Sequence, residues 1–414
     1  MSLANELQAR GFIHQIAGSS LEVIVDEKQR TIYHGIDPSA DSAHAGNFVI
    51  WMLLRHLAHA GHKIVFLVGG GTGMIGDPKP NAERQLKDPT LVAENVAKIK
   101  QQAERFFANY EFEFVNNLEW LGELKLIDFL RDIGKHYTVN ELIKKDAIAT
   151  RLASGTGLSY TEFAYPLLQG YDYLQLFETK ECTVQIGGSD QWGNMVSGVE
   201  LIRRKKQAEV FAVTVPLIID KATGKKFGKS EGNAIWLAAE KTSPYQFYQF
   251  WLNVSDESVI EHLKQFTFLP LEKIEALQQS MIADPSSRLT QKTLAYNVTE
   301  IVHGETVAAM VRNVSEMIFG SREIADLTPE EQTILIENVP VTTVNASAAV
   351  VDVLVETTLA ASKREARTFI ENGAITFNGE KIERTDAVIN DVWKGGSLVV
   401  LRRGKKQTSI LKVT

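Results

Sequence analysis

The 414-residue chain has a single cysteine, Cys182, so it can form no internal disulfide and no cysteine-based zinc knuckle. No apolar run reaches the roughly 18 residues that would span a bilayer. Residues 1–12 carry Glu6 and Arg10 and lack the apolar centre of a signal peptide. There is no general surplus of positive charge. With 44 Lys/Arg against 51 Asp/Glu the net charge is −7, which excludes a chain that is basic throughout and sheathes nucleic acid. Internal repeats and low-complexity tracts are also lacking. What remains is ordinary globular usage, 44% hydrophobic and 23% charged, with length for two or three domains. These features predict a soluble, multidomain protein of a reducing compartment, the cytoplasm, with no membrane partner.

The charge is unevenly spread. Residues 348–414 hold 11 Lys/Arg against 8 Asp/Glu, and Arg402, Arg403, Lys405, Lys406 and Lys412 close the chain with no acid among them. An acidic body with a basic end predicts that the end meets a polyanion. Strand-like runs at 63–68, 112–115, 183–186 and 210–219 alternate with helical patterns such as 46–59, 89–109 and 124–133. That alternation predicts a parallel α/β sheet, whose ligands lie beyond the C-terminal strand ends. From Ser243-Pro244 onward the pattern is helical, and Thr328-Pro329 opens another short helix. Residues 339–347 read as a linker. Ser362 caps a helix stopped at Asn372-Gly373, and Asn378-Gly379 reads as a hairpin turn.

Three segments carry candidate chemistry. Gly71-Thr72-Gly73-Met74-Ile75-Gly76 matches a dinucleotide fingerprint, but Asp77-Pro78-Lys79-Pro80 follows and forbids the continuous helix such a site needs. Around Gly35-Ile36-Asp37-Pro38-Ser39, a turn enters a helix near His44, and Gly46 leaves room for a flat base on the backbone. A helix N-terminus attracts anions, and a histidine there adds a donor for phosphate. In residues 223–233, Lys225, Lys226 and Lys229 sit in a glycine-punctuated loop of the kind that can meet a departing pyrophosphate. Further on, Ser159-Tyr160-Thr161-Glu162 opens a helix that places Tyr165, Gln169 and Asp172 on one face. Pro166 lies inside it and predicts a kink or irregular turn.

Together these segments resemble the two signatures of class I aminoacyl-tRNA synthetases. At finer grain the chain resembles the bacterial tyrosyl-tRNA synthetases in residues 33–42 (YHGIDPSADS), 68–78 (VGGGTGMIGDP), 185–194 (QIGGSDQWGN), 226–230 (KFGKS), 243–251 (SPYQFYQFW) and 362–373 (SKREARTFIENG). The resemblance implies a Rossmann-like parallel-sheet catalytic domain over 1–222 and a mobile loop with its connection over 223–242. It further implies an α-helical anticodon-side domain over 243–325, the linker over 326–347 and a small α+β RNA-binding module of the ribosomal S-four type over 348–414. It implies formation of tyrosyl-adenylate from L-tyrosine and ATP, with magnesium accompanying the ATP and no protein-bound metal. Tyrosine is then passed to its tRNA by a homodimer.

By motif, Tyr33, Asp77, Tyr165, Gln169 and Asp172 match the tyrosine pocket. Gly35, Asp37, Ser39, His44, Gly46, Asn47, Asp190, Gln191, Lys226, Lys229 and Ser230 match positions around ATP and the adenylate, with His44, Lys226 and Lys229 carrying the catalytic charge. Lys363, Arg364 and Arg367 match the tRNA-facing helix. Within that frame Gln169 and Tyr165 suit an ammonium, and Asp172 and Tyr33 a phenol hydroxyl. The chain departs from the family pattern at Ala45, at Asn47 (usually a second histidine), at Ser39 (usually Thr) and at His34 (usually smaller). Residues 79–84 are one residue short, and no role is carried over there. A catalytically idle relative kept for RNA binding and a nicotinamide dehydrogenase are the rival readings.

Overall fold

The computed structural model describes the chain except residues 80–81, 156, 220–226, 228, 231–232, 321, 394, 396–397 and 405–406, and except the side chains of 229, 230 and 233. Its contacts fall into two compact units, Met1–Lys241 with Val254–Leu294, and Thr242–Asn253 with Ala295–Thr414. The helices expected as one domain over 243–325 are thereby divided between the two.

The first unit is built on six strands: β1 (Gln15–Ala17), β2 (Thr31–Ile36), β3 (Lys63–Val68), β4 (Phe112–Asn116), β5 (Cys182–Gly188) and β6 (Phe211–Val215). Their order is β1-β6-β5-β2-β3-β4, and all neighbours are parallel except β1 with β6. The expected Rossmann-like α/β sheet therefore forms. From β2 the chain steps outward to β3 and β4, whereas from β5 it steps the other way to β6. The two halves meet where β2 pairs with β5, the position at which such sheets open a crevice. The strand expected over 210–219 ends at Val215, because Pro216 has no N–H to extend the ladder. The central strand β2 has no separate signal in the sequence, being fused to the turn-rich segment that follows it.

Four helices frame the crevice: α1 (Ala45–His59), α2 (Asp146–Ala153), α3 (Tyr160–Lys180) and α4 (Trp192–Lys206). Helix α3 begins where its cap predicts, with the Ser159 hydroxyl accepting the Glu162 N–H at 3.3 Å. Pro166 deprives the Glu162 carbonyl of its usual donor, yet the helix runs unbroken to Lys180. Of the expected kink or irregular turn, no irregular turn interrupts the helix, which packs along α4 and β5. The apparent dinucleotide fingerprint forms only the four-residue helix Thr72–Ile75. Two short strands, β7 (Lys229–Ser230) and β8 (Asn233–Ala234), pair antiparallel within the lysine loop.

In the second unit, β9 (Val341–Val344) pairs in parallel with the last strand of a five-stranded sheet. The segment read as a linker is thus part of the C-terminal module, its alternating β-branched residues being strand formers once an edge is available. The remaining strands are β10 (Ile375–Phe377), β11 (Glu380–Lys381), β12 (Leu398–Arg403) and β13 (Gln407–Val413). Asn378 and Gly379 both take positive φ in the β10–β11 turn, as a tight hairpin requires. Helix α5 (Lys363–Glu371) packs Ala366 and Ile370 into a core with Val353, Leu354, Ile375 and Leu401. No helix among the described residues is long and apolar enough to cross a membrane.

Candidate active site

A cavity of about 550 Å³ opens at the C-terminal ends of β2 and β5. Tyr33, Gly35, Asp37, Ser39, His44, Gly46, Asn47, Asp77, Tyr165, Gln169, Asp172, Asp190 and Gln191 all line it. Every proposed tyrosine- or ATP-site residue with a described side chain is therefore gathered there, although these residues are drawn from five separate segments. Lys226 lies outside the described residues. Of Lys229 and Ser230 only the backbone pairing, opposite Ala234 and Asn233, is described.

Strand alternation divides the cavity. Tyr33 turns toward α3, its ring 5.1 Å from that of Tyr173, while His34 turns toward the α1 side, 5.6 Å from Phe66. On the α3 side the Asp172 carboxylate is buried and accepts from Trp120 Nε1 at 2.7 Å and from Asn117 Nδ2 at 2.9 Å. Burial pushes it up to about 7 against the pull of those two donors. The Tyr33 hydroxyl is buried and has no protein partner. A buried hydroxyl without a partner is costly, and Tyr33 and the buried Asp172 both line the cavity.

Between the two sides, Asp37 accepts from the Thr72 hydroxyl and the Tyr165 hydroxyl, both at 2.8 Å. Because Tyr165 gives its proton to Asp37, its oxygen is left to accept. Gly69 makes this possible, since a Cβ there would come within 2.1 Å of Asp37 Oδ1. Asp77 accepts from Gln191 at 3.0 Å and Asn194 at 2.9 Å, and burial pushes it up to about 6. Asp37 is raised by burial as well.

On the α1 side, His44 is the N-cap. Its Nδ1 accepts the Gly46 N–H at 3.0 Å, and Asn47 Oδ1 accepts the His44 N–H at 3.2 Å. An accepting Nδ1 puts the proton of the neutral ring on Nε2, so the ring is a donor from that atom. Asn47, where a second histidine is usual, completes the reciprocal cap. Residues 43–45 are also tied to the chain just after the lysine loop, with Ala45 N–H donating to Ile235 and Leu237 N–H to Ala43. His34 donates from Nδ1 to the Ile186 carbonyl at 3.1 Å, and burial lowers it to about 4, so it is a neutral ring.

Several partners escape sequence reasoning. Thr72, Asn117, Trp120 and Asn194 orient the carboxylates, and Arg84 and Gln185 line the cavity. One signal was present for Asn117: polar residues directly after a predicted parallel strand stand at the ligand end of the sheet. No local pattern marks Trp120 or Gln185. Lys363, Arg364 and Arg367 are all exposed on α5, Lys363 paired with Asp352 at 2.7 Å.

Comparison with known proteins supplies the family. The family model for class I tRNA synthetases (W and Y) matches residues 26–320, and that for the tyrosine–tRNA ligase SYY-like C-terminal domain matches 331–411. The chain is 46% identical to tyrosine–tRNA ligase 2 of Enterococcus faecalis, over 98% of each. It is 45% identical to the tyrosine–tRNA ligase of Lactococcus lactis subsp. lactis, over 99% of this chain and all of the other. A C-terminally truncated mitochondrial tyrosyl-tRNA synthetase from Aspergillus nidulans superposes with a TM-score of 0.69 at 30% identity, covering 77% of this chain and 94% of that one. Full-length identity of this size, two successive family matches and the strand-switch cavity agree: the chain belongs to the tyrosyl-tRNA synthetases, within the class I aminoacyl-tRNA synthetases.

Proposed function

We propose that the chain is a tyrosine–tRNA ligase. It activates L-tyrosine with magnesium-bound ATP to tyrosyl-adenylate and pyrophosphate, then transfers tyrosine to the 3′-terminal adenosine of its tRNA. The observation that carries this reading is the two-sided cavity, with a buried unpartnered hydroxyl and a carboxylate on one side and a histidine-capped helix N-terminus on the other. The tyrosine phenol enters between Tyr33, which donates to its oxygen, and Asp172, which accepts its proton in a hydrogen bond. The ammonium meets Asp77, Tyr165 and Gln169.

The tyrosine carboxylate attacks the α-phosphorus in line, a bond forms from carboxylate oxygen to phosphorus, and pyrophosphate leaves. No general base is needed, because the nucleophile is already an anion. The protein aligns the partners and stabilises the developing charge. The role of stabilising the leaving group is assigned to His44 and the loop residues Lys226, Lys229 and Ser230, and that of holding the adenosine and the reacting centre to Gly35, Asp37, Ser39, Gly46, Asn47, Asp190 and Gln191. In the second step a ribose hydroxyl of the tRNA attacks the tyrosyl carbonyl and AMP departs.

Tyrosine-dependent ATP–pyrophosphate exchange tests the reading, and its absence would favour an idle relative. In the same assay Tyr33→Phe is expected to lower the preference for tyrosine over phenylalanine about tenfold, the worth of one neutral hydrogen bond. An unchanged ratio of kcat/KM values would remove Tyr33 from the hydroxyl-reading pair.

The exposed cations Lys363, Arg364 and Arg367 support a tRNA-facing α5, through phosphate contacts. A homodimer is supported by an apolar surface. Of the 17 large hydrophobic side chains exposed among the described residues, eight fall within residues 118–160, including Leu126, Ile127, Val139 and Tyr160. Exposed apolar side chains concentrated in one stretch of chain supply a protein–protein contact where they form one patch. Ile127→Asp is expected to shift sedimentation toward the monomer at micromolar concentration, and an unshifted boundary would place the contact elsewhere. The cytoplasm, where tRNA is charged, is the proposed location.

A further inference from the structure

Arg151 on α2 and Glu162 on α3 face each other at 3.5 Å, with side chains only 2% exposed. Neither is among the cavity's lining residues, and the reaction described above uses neither. Arg151 Nε is buried without a partner, and the pair's other side-chain hydrogen bonds reach one segment or its support. Arg151 Nη1 donates to the carbonyls of Lys79 at 2.9 Å and Ala82 at 2.6 Å. Glu162 Oε1 accepts the Arg84 backbone N–H at 3.2 Å, and Oε2 accepts the Ser159 hydroxyl at 3.2 Å. Arg84 Nε then turns back to the Asp77 carbonyl at 2.6 Å. The chain of contacts ends on the residue whose carboxylate enters the cavity between Gln191 and Asn194.

Stability gives no reason for the pair. Withdrawing two ions from water costs several kcal/mol, and well-packed apolar residues of similar volume commonly do as well or better. Geometry does give one. Glu162 precedes Tyr165, Gln169 and Asp172 by three, seven and ten residues on one continuous helix. Glu162 holds the residue 84 N–H from that helix, and Arg151, paired with Glu162, holds the carbonyls of 79 and 82 from α2, so the Asp77 segment is tied to the helix that carries Tyr165, Gln169 and Asp172 of the tyrosine pocket. Charged groups do this well because each guanidinium or carboxylate serves several backbone partners at once.

We propose that Arg151 and Glu162 form a positioning pair that fixes the backbone at residues 79, 82 and 84 and so sets the Asp77 carboxylate at the ammonium end of the cavity. The inference rests on the reading of Asp77 as an ammonium acceptor. The experiment compares the parent with Asp77→Asn and with the double variant Arg151→Met/Glu162→Met, measuring KM for tyrosine and for ATP in pyrophosphate exchange together with thermal unfolding. The double variant is expected to unfold within a few degrees of the parent, to raise the tyrosine KM about tenfold and to leave the ATP KM within about twofold. A merely structural pair would not split the two constants. If Asp77→Asn raises the tyrosine KM and the double variant does not, the positioning role is overturned and the reading of Asp77 stands. If Asp77→Asn changes nothing, the reading itself falls. Should the double variant fail to fold, hydrogen exchange in the parent decides: the Arg84 amide is expected to exchange as slowly as α3, and exchange at the rate of an open loop overturns the proposal.

Discussion

Asp172→Ala is expected to lower kcat/KM for tyrosine in pyrophosphate exchange by about 10³, roughly 4 kcal/mol of transition-state free energy. Two losses combine. The substrate hydroxyl loses a charged acceptor, worth about 1.5–3 kcal/mol, and Trp120 Nε1 and one Asn117 N–H lose their acceptor, at about 1–3 kcal/mol each, while Asn117 Nδ2 keeps its bond to the Thr72 hydroxyl. Part of the second loss falls on folding rather than catalysis, which keeps the kinetic effect below the sum. The parent should also show a pH limb. Asp172 accepts from the phenol as the carboxylate, and burial raises its pKa to about 7, so kcat/KM for tyrosine should rise with pH through that value. Asp77, at about 6, adds to the foot of the same limb. A loss under threefold in Asp172→Ala, or a parent profile flat between pH 5.5 and 8, would remove Asp172 from the hydroxyl-reading role.

The same shifts have a consequence for stability. A carboxyl group whose folded pKa lies above its unfolded value is bound to its proton more tightly in the folded state. Its favourable contribution is fully present below about pH 4 and is lost as pH rises through the folded pKa. Asp172 and Asp77 therefore cost stability between about pH 4 and 7 as they ionise, with Asp37 acting in the same direction. The charge that recognises the substrate is held against the preference of the fold.

Ending the chain at Asn338 is expected to leave adenylate formation within about twofold of the full chain while lowering kcat/KM for tRNA about 10², with a shallower dependence on salt. All residues proposed for adenylation precede residue 231, whereas α5 with Lys363, Arg364 and Arg367 lies beyond the cut. Asn338 is the proper boundary because β9 is hydrogen-bonded to β13 from Ile410 to Val413. A cut near residue 347 would strand β9 without its sheet and leave an exposed edge prone to aggregation. Undiminished tRNA charging by the shortened chain would show that the module is dispensable.

Much of this molecule was legible in its residues because the information was local. The run 63–68 became β3 to the residue, Ser159 and Ser362 capped the helices they were expected to start, and Asn378-Gly379 made its hairpin. Periodicity, caps and turns depend on neighbours within a few positions, and those are written in order. The segment 339–347 was misread for the complementary reason. Its strand exists only through pairing with β13, some seventy residues away.

The site divides along the same line. The motifs around Tyr33, His44 and Asp172 named the side chains that could meet tyrosine and ATP, and their chemistry follows from residue type. That Asp172 accepts from Asn117 and Trp120, that Tyr165 gives its proton to Asp37, and that Arg151 and Glu162 grip the Asp77 segment could not be read there. Hydrogen bonds and burial depend on distances across the fold. The order of strands places β2 beside β5, and that adjacency brings Tyr33 and Asp172, 139 positions apart, to one cavity and raises the pKa values of the carboxylates within it. Residue identity fixed what each group can do. Only the tertiary structure decided which groups act together, because electrostatics and desolvation are set by what surrounds a side chain and not by what precedes it in the chain.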